Sequence, residues 1–220
     1  TTEELKELEQ RIVGAQGEAL RLEAELFDQV RDTLQQNLPA LQSTAQGFKT
    51  VDALLSLARV ARENGYVSPT LNEEGRLLIK DGRHPIVERT LAEQSFVPND
   101  TDMDNDQKRM LILTGPNMAG KSTYMRQTAL IVLMAHIGSF VPAASADIPL
   151  SDNIYTRIGA SDDLASGQST FMVEMTELAY ILRNATPRSL VILDEIGRGT
   201  GTFDGLSIAW AAVEYLTDKS

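Results

Sequence analysis

Gly115-Pro116-Asn117-Met118-Ala119-Gly120-Lys121-Ser122 fits the pattern G-x-x-x-x-G-K-[ST], with the apolar run Met110-Leu111-Ile112-Leu113-Thr114 before it and a helix-forming stretch after it. Glycines let successive backbone N–H groups curl around an anion, and the N-terminus of the following helix adds donors and a favourable dipole. A lysine in this position reaches the β- and γ-phosphates of a nucleotide, and the hydroxyl after it ligates Mg²⁺. A chance glycine-rich turn would not come with this flanking pattern. The stretch therefore predicts a strand over 110–114, a helix over 121–136 and an α/β unit built around a phosphate site.

Working outward, Leu190-Val191-Ile192-Leu193 ends in Asp194-Glu195. Two acids after an apolar strand are usually a solvated strand end. Beside a phosphate loop they acquire a use: one carboxylate holds Mg²⁺ and its neighbour polarises the attacking water. A third stretch, Ser166-Gly167-Gln168-Ser169-Thr170, opens another helix. Hydroxyls and small residues there make an anion site, or else a plain cap with Ser169 or Thr170 answered by Glu174. Thr170 precedes Asp194 by 24 residues, the order and rough spacing of the signature loop in ATP-binding-cassette ATPases, which covers the nucleotide of the opposite subunit.

The remaining pattern supplies the frame. β-Prone runs over 77–80, 86–87 and 96–97 are separated by turn residues such as Asn72, Gly75 and Asp81-Gly82, and 100–106 reads as an acidic connection. A strand over 154–158 and helices over 171–184 and 206–217 follow. Strands alternating with helices predict a largely parallel sheet covered by helices. Residues 1–65 read as helical throughout. Leu5, Leu8, Ile12, Ala15, Ala19, Leu22 and Leu26 alternate spacings of three and four, the seam of paired helices. Pro39 marks a break or kink and Asn64-Gly65 a stop. Two or three heptads fit an ordinary helical subdomain and a long mechanical arm equally well.

Composition narrows the class. The 220 residues carry a formal charge of −11, which argues against a broad nucleic-acid-binding surface in this segment. There is no cysteine, so disulfides and cysteine-based zinc sites are excluded. The longest apolar run, 129–135, is far short of the ~20 residues of a membrane span. An acidic, amphipathic N-terminus without a signal peptide reads as soluble and cytosolic, and a start at Thr1 without Met reads as a fragment. His136 reads as a helix residue and His84, before Pro85, as structural.

Three long stretches, 115–127, 162–175 and 193–200, resemble the MutS family of bacterial DNA mismatch-repair ATPases. Gly205 to Trp210, Asp81-Gly82-Arg83-His84-Pro85 and Phe96-Val97-Pro98-Asn99-Asp100 continue the likeness over essentially the whole chain. The resemblance implies a P-loop NTPase of the ATP-binding-cassette type, α/β, over 66–220, with an α-helical lever segment over 1–65. It implies ATP or ADP with Mg²⁺ as ligands and ATP hydrolysis as the activity.

By position, Gly115, Pro116, Asn117, Met118, Ala119, Gly120, Lys121, Ser122 and Thr123 would bind the phosphates. Ser122 and Asp194 would hold Mg²⁺, and Phe96 would stack on adenine. Lys121, Glu195 and Ser166 would be catalytic: Glu195 orients or activates the water, and Ser166 reaches the γ-phosphate in the partner subunit. Arg198 would lie in a loop that passes signals across the dimer, with Gly201 where many members carry Ser.

The resemblance also implies a homodimer sharing its nucleotides, mismatched DNA bound through domains mostly outside this chain, a MutL-like repair partner, and a place in the bacterial cytosol at the nucleoid. By the same likeness the ATPase domain is truncated at its C-terminal end, short of a strand bearing a histidine and of the dimer helices. The fragment is then expected to be weakly active. A transporter-type ATPase is a second possibility, although Ala165-Ser166-Gly167-Gln168-Ser169 departs from Leu-Ser-Gly-Gly-Gln. A non-catalytic, nucleotide-sensing interaction module is a third.

Overall fold

The computed structural model describes residues 2–91, 95–116, 118–158 and 170–219. The chain divides into two compact units, Thr1–Ser56 and Leu57–Ser220.

The first unit is helical. α1 (Glu3–Gln36) runs 34 residues and ends at Asn37, and α2 (Leu38–Asn64) carries on from there into the second unit. The break falls at Asn37 rather than at Pro39, because a proline in the first helical turn has no N–H to lose. Arg21 pairs with Glu18 and Glu25, and Arg31 with Asp28, at the three- and four-residue spacings that face each other on a helix. Every described residue up to Ser56 is exposed, the seam leucines included.

The second unit leaves α2 at Gly65, which lies at φ 61. Its four-stranded sheet has the order β1-β4-β2-β3, from β1 (Thr70–Asn72), β2 (Leu77–Gly82), β3 (Asn99–Met103) and β4 (Ser145–Pro149). β1 and β4 are parallel, while β2 is antiparallel to both β3 and β4. Alternation puts Leu77 and Ile79 of β2 and Ala146 and Ile148 of β4 on one buried face. α4 (Lys121–His136) covers that face with Ile131, Val132 and Ala135, spaced for one helical stripe. A separate pair, β5 (Ile154–Arg157) with β6 (Leu190–Leu193), is parallel. α5 (Thr170–Asn184) and α6 (Thr202–Lys219) follow β5 and β6 respectively.

This mixed α/β arrangement corrects the expected fold. In place of one largely parallel sheet of the ATP-binding-cassette type, the described residues form two small sheets, the larger mostly antiparallel. The run 110–114, expected as the strand leading into the phosphate loop, is irregular, and Ile112 is 73% exposed. An apolar run shows that a segment is able to be buried. Whether it becomes a strand depends on a neighbour for its backbone groups, which the run itself does not specify.

Smaller corrections have local causes. Residues 86–87 open the short helix α3 (Val87–Thr90) instead of a strand, because His84 Nδ1 accepts the N–H groups of Ile86 and Val87, each at 3.3 Å, and caps the turn. Residues 96–97 are not a strand. The acidic stretch expected as a connection contains most of β3, an edge strand whose Asp100 is bonded by Lys80 at 2.8 Å and by the Asp81 N–H at 2.9 Å. The Lys80 ammonium holds the Asp100 carboxyl below its ordinary value. Charge on an edge strand also discourages pairing with another chain.

Candidate functional site

The loop ahead of α4 has the backbone that its glycines permit. Gly115 lies at φ 144 and Gly120, the N-cap of α4, at φ 88; Met118 between them is at φ 65 with its side chain fully exposed. Left-handed positions close together turn N–H groups towards one concavity, which is what an anion needs. Lys121 Nζ folds back over this loop and donates to the carbonyl oxygens of Gly115 at 2.7 Å and Pro116 at 2.8 Å. Its charge meets two carbonyl dipoles there, partners that a phosphate would outcompete.

β6 brings the acids to the same place. Ser122 Oγ donates to Asp194 Oδ2 at 2.6 Å across 72 positions of sequence. Asp194 is fixed from behind by its own N–H, which donates to the Arg157 carbonyl of β5 at 2.7 Å. Arg157, 7% exposed, ties β5 to α5 through Glu177 at 2.9 Å. A serine hydroxyl and a carboxylate are hard oxygen donors, the set that suits Mg²⁺ with the rest of its shell left to water and phosphate. Among the described residues no cluster of three or more His, Cys, Asp or Glu offers an all-protein metal cage.

Glu195 stands next to Asp194 in the left-handed region, at φ 54, and Arg198 Nη1 donates to its Oε2. The pair is exposed, so it contributes little stability. Its consequence is local: it occupies one oxygen of the carboxyl group expected to handle water. A cavity of about 530 Å³ opens here, lined among others by Lys121, Tyr124, Thr101, Asp194 and Glu195. The Thr101 and Tyr124 hydroxyls are joined at 2.9 Å on its wall.

Lys121, Ser122, Asp194 and Glu195 thus come together, as the motifs imply. Phe96 is half-buried in an irregular segment and does not line this cavity. Asn117 and Ser166 lie outside the described residues. His84 accepts the N–H groups of Ile86 and Val87 at the start of α3, and His136 spans two backbone groups, Nδ1 to the Val132 carbonyl at 2.8 Å and Nε2 accepting from the Ser151 N–H at 3.0 Å. Glu174, which the sequence offers as the partner of a helix cap, has a contact that no motif names: its Oε1 accepts the N–H of Gly197, two positions beyond Glu195. The signal for it was an acid on the same helical stripe as Leu178 and Ile181, both buried.

A family profile described as MutS domain V matches residues 111–220. The chain belongs to the MutS family. It is 60% identical over its whole length to the DNA mismatch repair protein MutS of Lachnoclostridium phytofermentans, covering 24% of that protein. The proteins of the same name from Caldicellulosiruptor saccharolyticus and Clostridioides difficile are each 58% identical, over 100% and 98% of this chain and 25% and 23% of their own length. The chain therefore spans about a quarter of the length of these relatives. MutS domain V, with its helices and small sheets, takes the place of the ATP-binding-cassette fold expected for this region. No helix among the described residues is long and apolar enough to cross a membrane.

Proposed function

We propose that this chain is the nucleotide-handling part of a DNA mismatch-repair protein, which binds ATP or ADP with Mg²⁺ at 115–122 and hydrolyses ATP to move DNA-gripping segments of the same protein. The observation that carries the proposal is the Ser122–Asp194 hydrogen bond, which unites the glycine-rich loop with the acidic end of β6.

Each residue then has a defined task. Lys121 leaves the Gly115 and Pro116 carbonyls for the β- and γ-phosphates, and Gly115 to Thr123 surround them. Ser122 and Asp194 hold Mg²⁺, which supplies charge neutralisation at the phosphates. Glu195 orients a water and takes its proton as the water oxygen bonds to the γ-phosphorus. The bond to the β-phosphate oxygen breaks and ADP leaves with the electron pair. Phe96 stacks on adenine, Ser166 serves the nucleotide of a second copy in a homodimer, and 1–65 acts as a lever driven by the nucleotide domain of 66–220. Mismatched DNA and a MutL-like partner bind through the longer protein in the bacterial cytosol. What supports these assignments is membership of the family together with the relatives' printed name.

The test is a pair of variants in the intact protein. Lys121→Ala should weaken Mg-ATP binding, and Glu195→Gln should keep binding while abolishing turnover. Turnover retained by Glu195→Gln, with binding unaffected in Lys121→Ala, would sink the proposal.

A further inference from the structure

Glu174 is 5% exposed and shares the buried face of α5 with Leu178 and Ile181. An acid in that position is unfavourable unless its oxygens are bonded. Its Oε1 accepts the N–H of Gly197. Gly197 lies at φ 80, and a Cβ added there would come within 2.6 Å of the Gly205 Cα in α6. A Cβ at Gly199 would approach the Phe171 Cβ of α5 to 3.0 Å. The turn after β6 is therefore clasped by α5 on one side and α6 on the other. Glu195 opens that turn in the left-handed region, a conformation that a non-glycine residue keeps only where its surroundings hold it.

We propose that Glu174 is a positioning residue for ATP hydrolysis: by holding the Gly197 N–H it maintains the Glu195 backbone conformation and so aims the Glu195 carboxyl group. The inference rests on the assignment of Glu195 as the group that handles the attacking water. It separates two quantities. Phosphate and Mg²⁺ are held by 115–122 and Asp194, which do not depend on the Gly197 amide. The aim of Glu195 does.

The experiment measures Mg-ATP affinity with a fluorescent ATP analogue, and single-turnover hydrolysis, in variants of the intact protein. Glu174→Gln keeps an oxygen acceptor and should stay within about threefold of the parent in both. Glu174→Leu fills the same space without an acceptor. Its turnover should fall about 10- to 100-fold, the range expected when a catalytic group is misplaced by an ångström, with affinity within about threefold. Unchanged turnover in Glu174→Leu overturns the proposal, and so does an equal loss of affinity and turnover, which is general structural damage. If Glu174→Leu does not fold, Glu174→Asp, one methylene short of the Gly197 N–H, carries the same expectation and the same overturning outcomes. Glu195→Gln is measured alongside. Retained turnover there removes the assignment on which the inference stands. Lost turnover there, with Glu174→Leu fully active, removes the positioning role alone.

Discussion

Ser122 Oγ and Asp194 Oδ2 lie 2.6 Å apart, so the first turn of α4 and the end of β6 are joined by one hydrogen bond. The bond keeps two hard oxygen donors side by side, and for the Mg²⁺ site proposed above this would lower the reorganisation needed on binding.

It follows that Asp194→Asn should remove most of the Mg²⁺ dependence of ATP affinity. The expected change is about tenfold or more, ~1.4 kcal/mol, seen as converging titrations with Mg²⁺ and with chelator. Undiminished Mg²⁺ enhancement in this variant would show that Asp194 is not a ligand.

Lys121→Met should separate binding from stability. Among the described residues the side chain donates to the Gly115 and Pro116 carbonyls of an exposed loop, so its removal should change unfolding free energy by less than about 1 kcal/mol. Nucleotide affinity should fall far more. A large drop in the urea midpoint would mean that the lysine is holding the loop together.

The turn after β6 gives a sharp contrast between glycines. Gly197→Ala places a Cβ at positive φ and against Gly205, and should destabilise by about 1–3 kcal/mol or more. At Gly201 the nearest described atom to a Cβ is Asp204 Oδ2 at 3.4 Å, so Gly201→Ser should lie within about 0.5 kcal/mol of the parent. Urea unfolding of the two variants decides it; equal effects would contradict the described turn.

Arg83 joins the end of α2 to α3. Its Nε donates to Glu88 at 2.7 Å and its Nη2 to the Asn64 carbonyl at 3.2 Å, with the pair largely shielded from solvent. Arg83→Ala should reduce stability by about 1.5–3 kcal/mol, the range for hydrogen bonds to charged groups. A change under half of that range in chemical denaturation would mean that the pair is as solvated as a surface one.

His84 should make stability depend on pH. Burial, with the nearby Arg126 charge adding to it, lowers its pKa below the ordinary histidine value. The unfolded chain therefore binds the proton more readily than the folded one. The contribution is fully present above the unfolded value of about 6.5 and is lost as pH falls below it towards the folded value. Protonation of Nδ1 would also cancel the two bonds it accepts from Ile86 and Val87. Unfolding free energies from pH 8 down to pH 5 should show this loss, and His84→Asn should flatten it. Identical profiles would exclude His84 as the source.

Much of the local structure was legible in the chain. The helix 121–136, the strand ending at Leu193 and the stop at Gly65 follow from apolar periodicity, Gly-Lys-Ser and a C-terminal glycine, each of which acts over a few neighbouring residues. Residues 110–114 and 86–87 depart from their local pattern for a common reason. Both are apolar enough for a strand, yet one is irregular and the other is drawn into a helical turn by the His84 ring. β3 was missed because its carboxylates look like a connection until Lys80 and Lys108 are seen to pair with them.

By itself the sequence determined the chemical inventory: a glycine-rich loop ending in Lys121 and Ser122, an acidic pair after an apolar run, and family-specific stretches around them. Those are properties of residue type at short spacing. Only the tertiary structure decided that Ser122 meets Asp194, that Arg198 holds Glu195, and that Glu174 reaches across to Gly197. Such contacts join residues through strand pairing and helix packing, where partner choice depends on the whole chain. The same physics replaced one expected parallel sheet with two small ones, because backbone pairing needs a neighbour that no local pattern names.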